Sequence, residues 1–359
     1  MSRLTRADLD ALPSYVPGRN PSDLARELGL PQAIKLASNE VPYGPLPGVA
    51  EAIGTAAAQV DRYPDMGVVE LRDKLAERHG VDPSRVVTGC GSVALCEHLV
   101  KAAMLPGDEI VYSWRSFEAY PIISAGAAAK SVRVPNTPDH AHDLDAMAAA
   151  ITDRTRVVLV CNPNNPTGTA IRSDALERLI DRTPADVLVV VDEAYREFVT
   201  DADVPDALQR FSDRPNVAVL RTLSKAWGLA GLRVGWMVAA PEVADAVRKV
   251  VTPFSTNAVA QAAALAALEA TEEMQRRADR VVAERERVHK AVLALRPDVP
   301  ESQANFVWLP LGDGAADFAA KCEQRGVIVR AFPGDGVRVT IGAPEENDAF
   351  LAAAEAALS

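Results

Sequence analysis

The chain has 359 residues, 48% of them apolar and 24% charged, which is the balance of a globular protein with room for about two domains. Asp plus Glu (49) outnumber Lys plus Arg (38), and the net charge of −11 argues against nucleic acid or an anionic membrane as partner. Any anionic substrate must therefore be captured by local arginines.

The N-terminus (MSRLTRADLDALP) lacks the apolar core of a signal peptide, and no apolar run reaches membrane length. Cys90, Cys96, Cys161 and Cys322 fall into no CxxC or zinc spacing. Buried, inert thiols in a reducing cytoplasm are expected. The proline-rich stretch Pro13–Pro21 belongs to an N-terminal segment expected to pack against the C-terminal part of the chain.

Short Val-rich runs follow: Arg85–Cys90, Glu109–Ser113, Ser131–Val134, Val157–Cys161, Val187–Asp192, Val217–Thr222 and Val234–Ala239. Several show no polar alternation, the pattern of strands covered on both faces, so a mainly parallel sheet is predicted. Between them lie helical patterns such as Ser173–Arg182, with Leu176, Leu179 and Ile180 on one side. The fold class is therefore α/β, with a large domain over about residues 45–255. The Ala-, Arg- and Glu-rich stretch Asn257–Leu295 reads as helices leaving that sheet. Strands at Asn305–Leu309, Val327–Arg330 and Val337–Ile341 and a helix from Glu345 follow. Together with residues 1–44, residues 256–359 are expected to form a smaller α+β domain.

Gly89, Gly91 and Ala94 match GxGxxG/A between a strand and a helix, the pattern of a dinucleotide site. That site also needs an acid at the end of the next strand. Asp108 instead closes the turn Pro106-Gly107-Asp108 before the strand, and Glu109 stands at the strand's start rather than its end. What survives is a phosphate cradle, in which glycines let N–H groups at a helix N-terminus approach an anion.

Three segments carry the chemistry. Cys161-Asn-Pro-Asn-Asn-Pro-Thr-Gly168 ends a strand and could be only a turn. Val189-Val-Val-Asp-Glu-Ala-Tyr195 places an acid where open α/β sheets bind ligands, although a helix-capping Asp reads the same way. In Thr222-Leu-Ser-Lys-Ala-Trp-Gly-Leu-Ala-Gly-Leu-Arg-Val-Gly235, Lys225 lies after a strand among apolar and small residues. Most lysines are solvated surface residues, but this setting points to a functional amine, since carbonyl chemistry needs a lysine whose pKa its site lowers.

These strings, in this order and spacing, resemble the fold-type I pyridoxal-phosphate aminotransferases, in the branch of histidinol-phosphate and aromatic amino-acid aminotransferases. The likeness runs from Tyr15-Val-Pro-Gly18 to the C-terminal helix. It implies that Lys225 holds pyridoxal 5′-phosphate as a Schiff base and moves the substrate proton. It further implies that Asp192 pairs with the pyridine nitrogen, while Asn165 and Tyr195 bond the ring's phenolate oxygen. Arg233, Thr222, Ser224 and the N–H groups of Ser92 and Val93 would hold the phosphate, and Phe117 would stack on the ring. Arg338 would clamp a substrate carboxylate, with Asn39 and Asn305 lining that side. Tyr63 would reach the cofactor phosphate of a second subunit, making the enzyme a homodimer with shared active sites.

The resemblance implies ping-pong transamination with a 2-oxo acid such as 2-oxoglutarate. Two donors fit. Histidinol phosphate would present a phosphate to Arg338, helped by Arg330 and Tyr15. An aromatic amino acid would present its carboxylate to Arg338 and its ring to an apolar pocket. The aromatic-rich stretch Tyr112–Tyr120 and the short connection Ala331–Gly336 resemble the phenylalanine/aromatic aminotransferases of actinobacteria more closely, and an aromatic donor is expected. A cofactor-binding regulator is disfavoured, because every site position keeps a chemically competent residue.

Overall fold

The computed structural model describes residues 4–12 and 19–358. A seven-stranded sheet contains β2 (Val86–Gly89), β3 (Glu109–Trp114), β4 (Lys130–Pro135), β5 (Thr155–Cys161), β6 (Leu188–Asp192), β7 (Val217–Thr222) and β8 (Gly235–Val238). Their spatial order is β2-β8-β7-β6-β5-β3-β4. All neighbours from β7 to β4 are parallel, whereas β8 runs antiparallel to both β7 and β2.

Alternate residues of the central strands enter two different cores. Val158, Val160, Val189 and Val191 pack on one face. Leu159, Cys161, Leu188 and Val190 pack on the other, against Leu95 and Leu99 of the helix Gly91–Ala103. Burial on both sides explains why these strands carry no polar alternation. The helix Ser173–Arg182 buries Leu176, Leu179 and Ile180, as its spacing requires.

The reversed strand β8 has a functional consequence. Parallel strands deliver their C-termini to one edge, and the chain ordinarily crosses back before the next strand. Here β7 returns directly into β8, with Thr222 paired to Gly235. The whole connecting loop, including Lys225 and Arg233, therefore stays at the edge where ligands collect.

The second sheet is made of β1 (Ile34–Leu36), β9 (Phe306–Leu309), β10 (Val327–Phe332) and β11 (Gly336–Thr340), in the order β1-β10-β11-β9. Strand β1 joins it in parallel, so the N-terminal segment completes this sheet. Leu24 and Ala25 of the helix Pro21–Leu28 pack with Ile328 of β10. The helical stretch resolves into Ala258–Glu269 and Thr271–Leu295, the first packed on the helix Val49–Ala57.

Cys96, Cys161 and Cys322 are buried free thiols, and Cys90 is partly exposed. Glu109 opens β3 and is tied to Lys130, Arg154 and Thr152 at 2.7 to 2.9 Å, a structural carboxylate rather than a ribose ligand. Among the described residues no helix is long and apolar enough to cross a membrane.

Candidate active site

A cavity of about 490 Å³ opens at the C-terminal ends of β5, β6 and β7. Asp192, the last residue of β6, forms part of its wall and is buried. Tyr120 donates a hydrogen bond to Asp192 Oδ2 at 3.2 Å. Asp192 Oδ1 has no hydrogen-bond partner among the described residues. Burial pushes this carboxyl up to about 6. Leaving a buried carboxylate oxygen unpaired is costly, so the geometry fits a ligand that presents an N–H or a positive charge there.

Lys225 lies three residues beyond β7 and faces the same cavity. Its ammonium donates to the carbonyl of Ser38 at 3.2 Å. Burial first, and the positive field of Arg338 second, lower its pKa to about 7. A large fraction of the amine is thus neutral and nucleophilic near neutral pH.

On one side the cavity ends at the helix Gly91–Ala103, whose N-terminal Ser92 and Val93 line it. Arg233 donates to Ser224 Oγ and to the carbonyl of Ala230, both at 3.1 Å. Arg233 has a left-handed backbone, φ 59°, which is uncommon for a side-chain-bearing residue. Two glycines keep this corner open. A Cβ on Gly91 would lie 2.5 Å from Arg233 Nη2, and one on Gly235 would lie 2.3 Å from the backbone nitrogen of Ser92. A helix N-terminus facing a fixed guanidinium is a cradle for a phosphate. The Thr222 hydroxyl also lines it, accepting from Ser224 N at 3.1 Å and donating to the Val234 carbonyl at 3.3 Å.

The opposite side is built from both sheets. Arg338, on β11, is buried and donates at 2.6 Å to Asn165 Oδ1 and at 2.6 Å to the Ala37 carbonyl. Asn39, with φ 56°, donates to the Tyr195 hydroxyl at 2.9 Å. Thr340 binds both the backbone N–H and the side-chain oxygen of Asn39, at 2.9 and 3.0 Å. Burial drives the Tyr195 hydroxyl well above its ordinary range. Phe117 lines the cavity and meets Tyr120 edge-on at 5.6 Å.

The structure thus brings Ser92, Val93, Phe117, Asn165, Asp192, Tyr195, Thr222, Ser224, Lys225, Arg233, Arg338 and Asn39 to one cavity. Asn305 does not line it. It is fully buried behind Asn39, donating to the Asn39 carbonyl at 3.0 Å. Arg330 lies beside the cavity and is paired with Glu118 at 3.0 Å. Tyr63 is away from it, 82% exposed and stacked on Phe254 at 4.5 Å. Tyr15 lies outside the described residues. Sequence reasoning missed Ser38, because a carbonyl ligand leaves no residue-type signal. It placed Tyr120 only in an aromatic-rich stretch, although a tyrosine one turn beyond Phe117 was a usable hint.

Residues 31–354 match the family Aminotransferase class I and II. The aromatic amino acid aminotransferase of Streptomyces coelicolor is 55% identical over 350 residues, covering 98% of this chain and 96% of that relative. The aromatic amino acid aminotransferase of Rhodococcus jostii is 55% identical over 352 residues, covering 98% and 95%. The crystal structure of histidinol-phosphate aminotransferase from Sinorhizobium meliloti, in complex with pyridoxal-5′-phosphate, aligns with a TM-score of 0.87 at 27% identity. That alignment covers 100% of this chain and 98% of the other.

Proposed function

Because the chain belongs to the class I and II aminotransferases, a family dependent on pyridoxal phosphate, we propose that it moves the amino group of an aromatic amino acid such as phenylalanine to 2-oxoglutarate. The observation that carries this reading is the pairing of Asp192 and Lys225 across one cavity, with Arg338 at its far side.

Pyridoxal 5′-phosphate, when bound, supplies an electron sink for the bonds at the substrate Cα. The unpaired Asp192 Oδ1 fits the pyridine N–H, and the Gly91, Ser92, Ser224 and Arg233 corner fits the phosphate. Lys225 would hold the cofactor through Nζ, and the same amine would take the proton from the substrate Cα. Its lowered pKa suits it to both tasks at neutral pH. Tyr195, Asn165 and Phe117 line the same cavity; Tyr195 and Asn165 would bond the ring's phenolate oxygen and Phe117 would stack on the ring. Arg338 presents two N–H groups to the substrate carboxylate and is aligned by Asn165 and Ala37. Phe117, Ile122 and Ile123 provide the apolar part of the wall for an uncharged ring. Asn305 acts one step back, fixing Asn39.

In this reading residues 45–255 form the cofactor-binding domain, and residues 1–44 with 256–359 form the smaller domain that brings Arg338 to the substrate. The two half-reactions share the site in turn, so the kinetics are ping-pong. The active form is a homodimer. The exposed Tyr63, Met66 and Phe254 are supporting features, since an aromatic and sulfur-bearing surface gains from burial by a second copy.

Histidinol phosphate is the second donor to consider, favoured by the position of Arg330 directly opposite Arg338. Titrating the cofactor-loaded protein with each donor and no 2-oxo acid separates the two. Loss of the aldehyde-form absorbance at lower phenylalanine than histidinol phosphate concentrations is the expected result. The reverse order would transfer the assignment to histidinol phosphate.

A further inference from the structure

Arg330 and Arg338 are register partners across β10 and β11, so their side chains leave the same face of the small sheet. Both guanidinium carbons lie against the ring of Phe332, at 5.5 and 5.8 Å from its centroid. Arg115 approaches that ring at 5.5 Å. Three arginines therefore converge beside the substrate end of the cavity, in unequal surroundings.

Arg338 donates to an amide oxygen and a backbone carbonyl and reaches the cavity. Arg330 is gripped by both oxygens of Glu118, at 3.0 and 3.3 Å, with the two side chains 14% and 29% exposed. Arg115 is held by Asp335 through Nε at 2.8 Å. Glu118 sits between Phe117 and Ala119, which both line the cavity. Its carboxylate holds the second arginine of the pair, while the residues on either side of it in the chain line the cavity.

An anionic group reaching past Arg338 toward Arg330 meets this carboxylate. It must either displace Glu118 from a shielded ion pair or lie beside it, and both are unfavourable. An uncharged ring meets neither penalty. The dicarboxylate acceptor carries one charge at that end, whereas a phosphate carries up to two, so the bias falls hardest on the phosphate.

We propose that Glu118 is a specificity-determining residue: by holding Arg330 it withholds that cation from substrate phosphate and turns the enzyme toward donors with uncharged distal groups. The proposal rests on the reading of Arg338 as the substrate anchor and of the cavity as the transamination site.

The test uses the cofactor-loaded enzyme in the donor half-reaction, which keeps the acceptor out of the comparison. The quantity read is the specificity ratio of histidinol phosphate over phenylalanine. Glu118→Gln is expected to raise it at least about tenfold. Glu118→Ala, a truncation at a partly exposed position, carries the same expectation if the glutamine variant does not fold. Glu118→Asp keeps the charge and is expected to keep the wild-type ratio. Adding Arg330→Gln to Glu118→Gln should return the ratio toward wild type, because the uncovered cation is then gone. An unchanged ratio in the glutamine and alanine variants, or a gain that survives loss of Arg330, would overturn the proposal. Arg338→Gln tests the underlying reading separately. If it reacts with phenylalanine as wild type does, the anchor assignment fails. If it is impaired while the Glu118 variants leave the ratio unmoved, only the role of Glu118 is refuted.

Discussion

Asp192 ends β6 and Lys225 follows the adjacent parallel strand β7 by three residues; the two face one cavity and are displaced toward neutrality from opposite directions. Burial raises the carboxyl to about 6 and lowers the amine to about 7. Each group alone is a liability to the folded chain. Their common cause is burial in one cavity, an arrangement that suits a ligand bringing an N–H to the carboxyl and a carbonyl to the amine.

Asp192→Asn should therefore stabilise the cofactor-free chain. The folded carboxyl binds its proton up to about pH 6, against about 3.8 in the unfolded chain. The folded state thus holds more protons across that interval, and its stability falls as pH rises through it. The burial penalty is fully present above pH 6 and absent below about pH 4. Urea unfolding of the cofactor-free proteins should show a gain of up to about 3 kcal/mol at pH 8. The gain should vanish toward pH 4, and the variant should bind pyridoxal phosphate more weakly at every pH.

Lys225 gives the complementary pH signature. Its neutral amine is the reactive form, and the folded pKa of about 7 replaces the ordinary 10.5. The rate at which stripped protein takes up pyridoxal phosphate should climb with a midpoint near pH 7. Arg338 is the second cause of the depression after burial, so Arg338→Gln should move that midpoint upward. A midpoint that stays fixed in the variant would show that Arg338 does not act on the amine.

Gly91→Ala should separate folding from cofactor retention. Gly91 has φ +82°, and an added Cβ would lie 2.5 Å from Arg233 Nη2, the far end of a flexible side chain. Arg233 can swing aside, and the left-handed backbone costs about 1–2 kcal/mol. The protein should fold, melt a few degrees lower, and release pyridoxal phosphate with a Kd raised at least about tenfold. Equilibrium dialysis with thermal unfolding checks both parts.

The strands were legible because burial on two faces leaves a mark in composition. The unbroken, β-branched run Val189, Val190 and Val191 reads as a strand covered from both sides, and its residues do alternate between the two cores. The direction of β8 was not legible, since a Val-rich run looks the same whether it pairs parallel or antiparallel. β1 is only three residues long and depends on its pairing with Val327–Val329, a tertiary contact with no local signature. At the site, residues whose chemistry depends on type stood out: an isolated lysine, a strand-end acid, arginines among apolar neighbours. Residues that act through backbone or position did not. Ser38 contributes a carbonyl, Asn305 a bond to another backbone, and Glu118 a charge whose partner lies on a distant strand. Arg330 is expected to help Arg338 with a phosphate-bearing donor, and its ion pair with Glu118 leaves no mark in the sequence.

The proposed chemistry depends above all on Lys225 as the residue that carries the cofactor with which this chain transaminates. The most direct measurement is borohydride reduction of the yellow, cofactor-loaded protein, followed by peptide mapping of the fixed pyridoxyl group, in wild type and Lys225→Ala. The expected result is a label on the peptide containing Lys225 in wild type, and in the variant neither label nor turnover of phenylalanine. A label on another lysine, or a Lys225→Ala protein that keeps both its reducible chromophore and its turnover, would contradict it.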